Sequence, residues 1–258
     1  MTKDVPAYEA TIFNPPVCSY STFVFVLNEG DRIRRQLAKM KPYADLTDIY
    51  IADGGSVDGS LDPDYLRECG VRGVLVKTGP GRLSAQMRMA LSWASEKGYK
   101  GSVCMDGNDK DDPAALPLFL GKLDEGFDHV QGSRYVPGGM ALNTPILRHW
   151  GVRAIHAPLL SLAAGFHYTD TTNGFRAYSA AFLEDLRVSP FRNIFQSYEL
   201  HYYLAIRAAR LGYRVCEIPV TRAYPKSEVT PTKIKGFKGN IEILTTLLKV
   251  CRGDYDPS

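Results

Sequence analysis

The chain reads as an α/β domain built on a mainly parallel central sheet flanked by helices. Three features carry that expectation. Short apolar runs of strand-forming residues alternate with segments whose apolar residues recur at helical spacing. The runs are continuous, as in Phe23-Val24-Phe25-Val26-Leu27, which suits strands buried on both faces. Polar turns follow the runs, at the strand ends where open parallel sheets bind ligands.

Asn28 follows the first run and is placed to cap a helix carrying Ile33, Leu37 and Met40. Residues 48–52 form a second strand, ending in the turn Asp53-Gly54-Gly55-Ser56-Val57-Asp58-Gly59. Val74-Leu75-Val76 is a third. A helix over residues 83–95 sets Leu83, Met87, Ala90, Leu91 and Ala94 on one side. Ser102-Val103-Cys104-Met105 is a strand, and Pro113 opens the next helix, where proline is tolerated. Val130 marks a short strand before Gly132-Ser133-Arg134-Tyr135. Beyond residue 140 the pattern loosens. Residues 145–164 read as a helix that Pro158 kinks or breaks. A polar loop spans 170–176, a helix 198–211 and a strand 215–220. Thr230-Pro231 resembles a cap and first-turn proline for a last helix with Ile234, Phe237, Ile241, Leu244 and Leu248.

With 258 residues, 45% hydrophobic and 23% charged, the composition is globular. A net charge of +3 is too small for bulk nucleic-acid binding. Cys18, Cys69, Cys104, Cys216 and Cys251 are scattered, against a zinc site or disulfide framework and in favour of a reducing, cytoplasmic compartment. The apolar run at residues 23–27 is too short to span a membrane, and residues 1–16 lack the pattern of a signal peptide.

Four polar loops are expected at one sheet edge: Asn28-Glu29, residues 53–58, residues 106–112 and Ser133-Arg134. Binding a nucleoside diphosphate needs a divalent cation on oxygen ligands, basic side chains or helix N-termini. Met105-Asp106-Gly107-Asn108-Asp109-Lys110-Asp111-Asp112 offers several oxygens. Taken alone, it reads equally well as a solvated acidic turn capping the Pro113 helix. Gly54 and Gly55 allow close backbone approach, though alone that loop is a plain glycine turn.

Read together and in order, Leu27-Asn28-Glu29, the 53–60 loop, Met105-Asp106-Gly107-Asn108, Gly132-Ser133-Arg134-Tyr135 with Gly138-Gly139, residues 170–176 ending Gly174-Phe175-Arg176, and Glu217-Ile218-Pro219-Val220 resemble a family 2 glycosyltransferase of the GT-A fold. The similarity is to the dolichol-phosphate mannosyltransferase branch, over residues 23 to 233. It implies an N-terminal extension (1–22), a catalytic domain (23–222) and a C-terminal loop and amphipathic helix (223–258). It implies nucleoside contacts from Asn28, Glu29, Asp53 and Asp58, with Arg82 added to the donor-binding set. Asp106 matches the first aspartate of a metal-binding DxD motif and Asn108 its second position, so Mg²⁺ or Mn²⁺ is expected on these two. Lys110 stands where relatives often have a metal-holding glutamine, and is expected to pair with phosphate. Asp109, Asp111 and Asp112 are substitute ligands. Arg134 and Arg148 match arginines facing phosphates; Arg222 and Lys233 resemble an element closing over them, with Thr232 in place of a serine. The implied catalytic set is Asp106, Arg134, Asp170 and Arg176.

The implied reaction is inverting transfer of a sugar from a nucleotide-diphosphate donor to a lipid-linked (polyprenyl-phosphate) or surface-polysaccharide acceptor. Val152 replaces a serine that binds acceptor phosphate in relatives. A phosphate acceptor needs no strong base; a hydroxyl does, with His149, His156 and Asp170 as candidates. Alternatives are a catalytically impaired nucleotide-sugar-binding partner and a nucleotidyltransferase, the latter disfavoured by Leu27-Asn28-Glu29-Gly30 after the first strand. Lys233, Lys235, Lys238 and Lys249 give the last helix a basic face, for the inner surface of a membrane or simply for water.

Overall fold

A computed structural model describes residues 3–225 and 236–257. Its strands are β1 (Tyr8–Ile12), β2 (Tyr20–Val26), β3 (Asp48–Asp53), β4 (Val71–Lys77), β5 (Gly101–Asp106), β6 (His129–Ser133), β7 (Met140–Leu142), β8 (Arg176–Ser179), β9 (Val215–Pro219) and β10 (Thr221–Ala223). The helices are α1 (Asp31–Met40), α2 (Pro63–Glu68), α3 (Leu83–Glu96), α4 (Leu116–Asp124), α5 (Ile146–Gly151), α6 (Ala157–Ala164), α7 (Ala180–Glu184), α8 (Glu199–Arg210) and α9 (Gly236–Arg252).

Eight strands form one sheet in the order β1-β4-β3-β2-β5-β8-β6-β9. β4, β3, β2 and β5 run parallel, as do β6 and β9. Continuous apolar runs mean burial on both faces, and β2 obeys: Phe23 and Phe25 pack with α3 and α8, Val24 and Val26 with α1 and α4. Helix α1 buries Ile33, Gln36, Leu37 and Met40, the stripe its spacing predicts.

Two strands run against the rest. Residues 8–12, expected in an extension, form β1 and pair antiparallel with β4 at the sheet edge. β8 lies antiparallel between β5 and β6. A reversed strand starts where its neighbours end, so the 170–175 loop feeding β8 sits at the C-terminal ends of β5 and β6. Asp106 and Ser133 close those two strands.

Three local expectations change. Gly30, not Asn28, occupies the N-cap of α1, with φ +57°. The helical stretch at 145–164 is α5, a π-helical stretch Val152–His156 and α6. Pro158 falls in the first turn of α6, where its missing N–H costs nothing, so the wide turn precedes the proline. Thr230, Pro231, Lys233, Ile234 and Lys235 lie outside the described residues. Further on, α9 buries Ile243, Leu247 and Val250 in the core that holds α6 and α8, while Lys249 is exposed. This helix rests on its own domain.

Truncating Leu247 to Ala is expected to cost about 2–4 kcal/mol in urea unfolding, and Leu248→Ala, on the exposed side, under about 0.5 kcal/mol. Equal costs would mean that α9 is not part of the core. His129 gives a second expectation. Its ring is fully buried, stacked on Tyr178 with centroids 5.3 Å apart. Burial, then the charge of Arg176, pushes it well below the ordinary histidine value of 6.5. The native state keeps it neutral while the unfolded chain takes up a proton, so stability is lost as pH falls below 6.5. From pH 7 to pH 5, His129 alone should lower unfolding free energy by about 2 kcal/mol. A His129→Gln variant that keeps the full slope would refute the assignment.

Candidate active site

The first two loops interlock at the ends of β2 and β3. Asn28, at φ +49°, accepts from Val57 N through Oδ1 at 2.8 Å, and its own N–H donates to Ser56 Oγ at 2.9 Å. Asp53 accepts from Ser56 N and Oγ. Asp58 accepts from Gly30 N at 2.8 Å and from Ser60 Oγ at 2.7 Å. Burial would raise the Asp58 carboxyl, but these hydrogen bonds hold it below its usual range. Glu29 pairs with Arg32 at 3.0 Å. Gln86 of α3 donates through Nε2 to Val26 O and Ala52 O, tying the two strand ends together. Lys77 lies beside Asp53: burial lowers its ammonium and the Asp53 charge opposes.

The third loop centres on Arg222. Its Nη2 donates to Asp106 Oδ2 at 2.8 Å, its Nη1 donates to Asp111 Oδ2, and Asn173 Oδ1 stands 3.4 Å from Nη1. The pairing of β10 with β7 and a bridge between Asp111 and Arg222 bring the guanidinium there. Burial favours neutral Asp106, yet the charges of Arg222 and Lys110 pull its carboxyl down to about 2. In Asp111 burial prevails and the carboxyl rises. Lys110 is pushed down to about 8 by burial and by Arg222. Its ammonium lies 5.0 Å from the Tyr224 ring centroid, and the Tyr224 hydroxyl accepts from Arg148 Nη1 at 2.8 Å. Four groups from three distant segments thus form one cationic cluster beside Asp106.

The remaining acids of the loop do not stand by as metal ligands. Asp109 pairs with Arg35 at 2.9 Å and Lys39 at 2.7 Å. Asp112 caps the turn Pro113–Ala115 through Ala114 N, the plain role foreseen for an acidic turn. Asp106 and Asn108 carry oxygens of the kind a divalent cation takes. The Asp106 side chain is 25% exposed, and Asn108 Oδ1 is buried without a hydrogen-bond partner. Asn108 turns its Nδ2 to Asp106 Oδ2 at 3.3 Å, so holding a cation on both oxygens requires the amide to turn over. Among the described residues no cluster of three His, Cys, Asp or Glu forms a complete protein cage.

Three expected catalytic residues are built into the frame. Arg134 donates through Nε and Nη2 to the two oxygens of Asp170 at 2.6 and 2.9 Å, with both side chains buried. Burial would raise the Asp170 carboxyl; the Arg134 bonds outweigh it. Arg176 donates to three backbone carbonyls, of Asn173, His201 and Thr171, at 2.8, 2.6 and 2.7 Å. Through these donors both arginines brace the loop that enters β8. Arg82 pairs with Glu242 of α9 at the surface, at 2.9 Å. Val152 is buried, His149 packs edge-on to Tyr135, and burial lowers His156. Lys233 lies outside the described residues.

The sequence reading did not single out Gln86, Lys77 or Tyr224. Gln86 was visible as a polar residue on the buried side of α3, and Tyr224 as the residue two along from Arg222. Gly174, placed only in a family loop, has a reason here: a Cβ would meet Asp106 Oδ1 at 3.0 Å.

Residues 21–187 match the model of the family described as Glycosyl transferase family 2. The chain is 29% identical over 221 residues to the undecaprenyl-phosphate mannosyltransferase of Micrococcus luteus, covering 83% of this chain and 87% of that protein. It is 30% identical over 198 residues to the polyprenol monophosphomannose synthase of Mycolicibacterium smegmatis, covering 73% and 70%. The fold is similar to that of glucosyl-3-phosphoglycerate synthase from Mycobacterium tuberculosis, solved with Mn²⁺, uridine diphosphate and glucosyl-3-phosphoglycerate. The TM-score is 0.64 and the identity 19%, over 93% of this chain and 81% of that one. At such identity the likeness speaks for the fold alone. With the family matched over most of the chain and the sheet in place, the chain belongs to glycosyl transferase family 2 and is a glycosyltransferase of the GT-A fold.

Proposed function

We propose that this enzyme transfers a sugar, with inversion, from a nucleoside diphosphate donor to a lipid-linked phosphate of the polyprenyl type. The names of the relatives support that acceptor class. The observation that carries it is the cluster of Lys110, Arg148 and Arg222 around Tyr224 beside Asp106. Three cations suit a site where two phosphate-bearing molecules meet. The acids nearby are already engaged: Asp170 by Arg134, Asp111 by Arg222, and Glu217 by Thr169 and the Asp170 amide. A sugar hydroxyl acceptor would need a base, one of these acids or His149 or His156; a phosphate, already anionic at neutral pH, does not.

The interlocked loops at Asn28, Asp53 and Asp58 hold the nucleoside end of the donor. Lys110 and Arg222 face the diphosphate, and Arg148 the acceptor phosphate. An acceptor oxygen lone pair forms the new bond to the anomeric carbon. The bond from that carbon to the diphosphate oxygen breaks on the opposite face, its electron pair leaving with the nucleoside diphosphate. Asp106 and Asn108 would hold Mg²⁺ or Mn²⁺, which would supply charge screening for the departing diphosphate. Such an acceptor keeps its hydrocarbon in a bilayer, so the enzyme works at a membrane surface, reached from the cytoplasm. Among the described residues no helix is long and apolar enough to cross a membrane.

The test is transfer of labelled sugar from nucleotide sugars to a polyprenyl phosphate in detergent. Asp106→Ala should lower kcat at least about a hundredfold with folding intact. Full activity of the native enzyme in excess chelator would remove the metal from this reading, and transfer only to sugar hydroxyls would sink it. Arg148→Ala should raise KM for the acceptor roughly tenfold or more and leave the donor KM alone.

Asp170→Asn separates base from scaffold. Loss of one partner of a buried pair costs about 3–5 kcal/mol of stability, and the Arg134→Met/Asp170→Asn double variant should recover much of it. A stable Asp170→Asn protein that is inactive with hydroxyl acceptors would restore Asp170 as the base.

A further inference from the structure

From α5 to α6 the chain turns an apolar side to solvent. Leu147, Trp150, Ile155 and Leu162 are 90%, 61%, 45% and 84% exposed. Ala154 and Pro158 between them are exposed as well. Steps of three and four residues keep these positions on one side of the helical segment. The other side buries Val152, Ala157, Leu160 and Ala164. Arg153 is the one exposed polar residue between Ile146 and Ala164. A helix side with this composition is rarely left to water.

Charge says what covers it. Between Arg134 and Asp170 the chain has no Asp or Glu, yet holds Arg148, His149, Arg153, His156 and His167. Arg153 lies 5.7 Å from the Tyr135 ring centroid, and Arg210 reaches the end of α6, donating to Ala163 O at 2.6 Å. A cavity of about 320 Å³ opens beside them, lined by Tyr135, Arg153, Pro158, Ser161 and His167 among others. An apolar strip with a tryptophan, beside Arg153 and with no acid in its own segment, complements an anionic lipid surface.

We propose that this side of α5–α6 seats on an anionic bilayer. Leu147, Trp150, Ile155 and Leu162 enter the boundary between headgroups and acyl chains, and Arg153 meets lipid phosphate. The inference extends the lipid-linked acceptor reading. Arg148, on the same short helix as Leu147 and Trp150, donates instead to Tyr224 in the cluster beside Asp106. One helix therefore joins the lipid surface to the transfer site. The basic helix expected from the sequence, α9, buries Ile243, Leu247 and Val250 against its own domain and leaves Ile241 and Leu248 of the expected stripe exposed.

Trp150 reports the contact directly, because the other tryptophan, Trp93, is buried in the core. With vesicles of phosphatidylcholine and phosphatidylglycerol at low salt, the protein should co-float. Its tryptophan emission should shift to the blue and be quenched by brominated lipid. Trp150→Phe should still float but lose the shift. A Leu147→Ser/Leu162→Ser variant should partition at least roughly tenfold more weakly, with unchanged circular dichroism and unchanged thermal shift on adding nucleoside diphosphate. No flotation of the native protein overturns the proposal, as does flotation that the double variant leaves intact. A native dimer that this variant turns into a monomer in light scattering, without flotation, assigns the face to a second copy and also overturns it. Flotation needs neither donor nor acceptor, so its failure is distinct from failure of the transfer assay.

Discussion

Arg222 is buried between Asp106 and Asp111, and the arrangement of the site follows from that placement. Removing an ion from water costs several kcal/mol, recovered only when each charge meets well-placed partners. The guanidinium meets that demand by drawing together the loop after β5, the start of β10 and, through Asn173, the loop before β8. These segments are far apart in the chain. Their union sets positive charge against an acidic loop: Asp106 is held ionised, and Lys110 and Arg148 gather around Tyr224 beside Arg222.

A second buried ion pair does a different job. Arg134 and Asp170 satisfy each other with two parallel hydrogen bonds, in the fork geometry that suits guanidinium and carboxylate. Arg176 supports the same loop from beneath through three carbonyls. Reversal of β8 makes this support necessary, because the loop entering it must pass over the site without regular ladder bonds. The result is a rigid rim on which Gly174 lets the chain approach Asp106 closely. In this rim the carboxylate of Asp170 is already taken up by Arg134.

Much of the sheet was legible because burial on two faces leaves a continuous apolar run, and β2, β3 and β5 have one. β8 was not: Arg-Ala-Tyr-Ser is too short and polar to read as a strand, and only its pairing with β5 and β6 makes it one. The basic stripe of α9 was ambiguous for a related reason. Periodicity reveals that a helix has an apolar side, while the neighbour that covers it is set by packing. The same limit hid the open side of α5–α6, whose residues read only as a helix that Pro158 kinks or breaks.

By itself, the sequence determined the order of the main strands and helices from β2 to β6, the polar loops at one sheet edge, and Asp106 as the acid of the third loop. Those are local properties, written in apolar period, turn chemistry and short motifs. Tertiary structure alone decided which charged side chain meets which. Asp106 to Arg222 and Arg134 to Asp170 are contacts across long stretches of chain, and no local pattern encodes a partner. The role of an arginine as ligand binder or scaffold depends on what lies at the end of its donors, and only the folded chain places that.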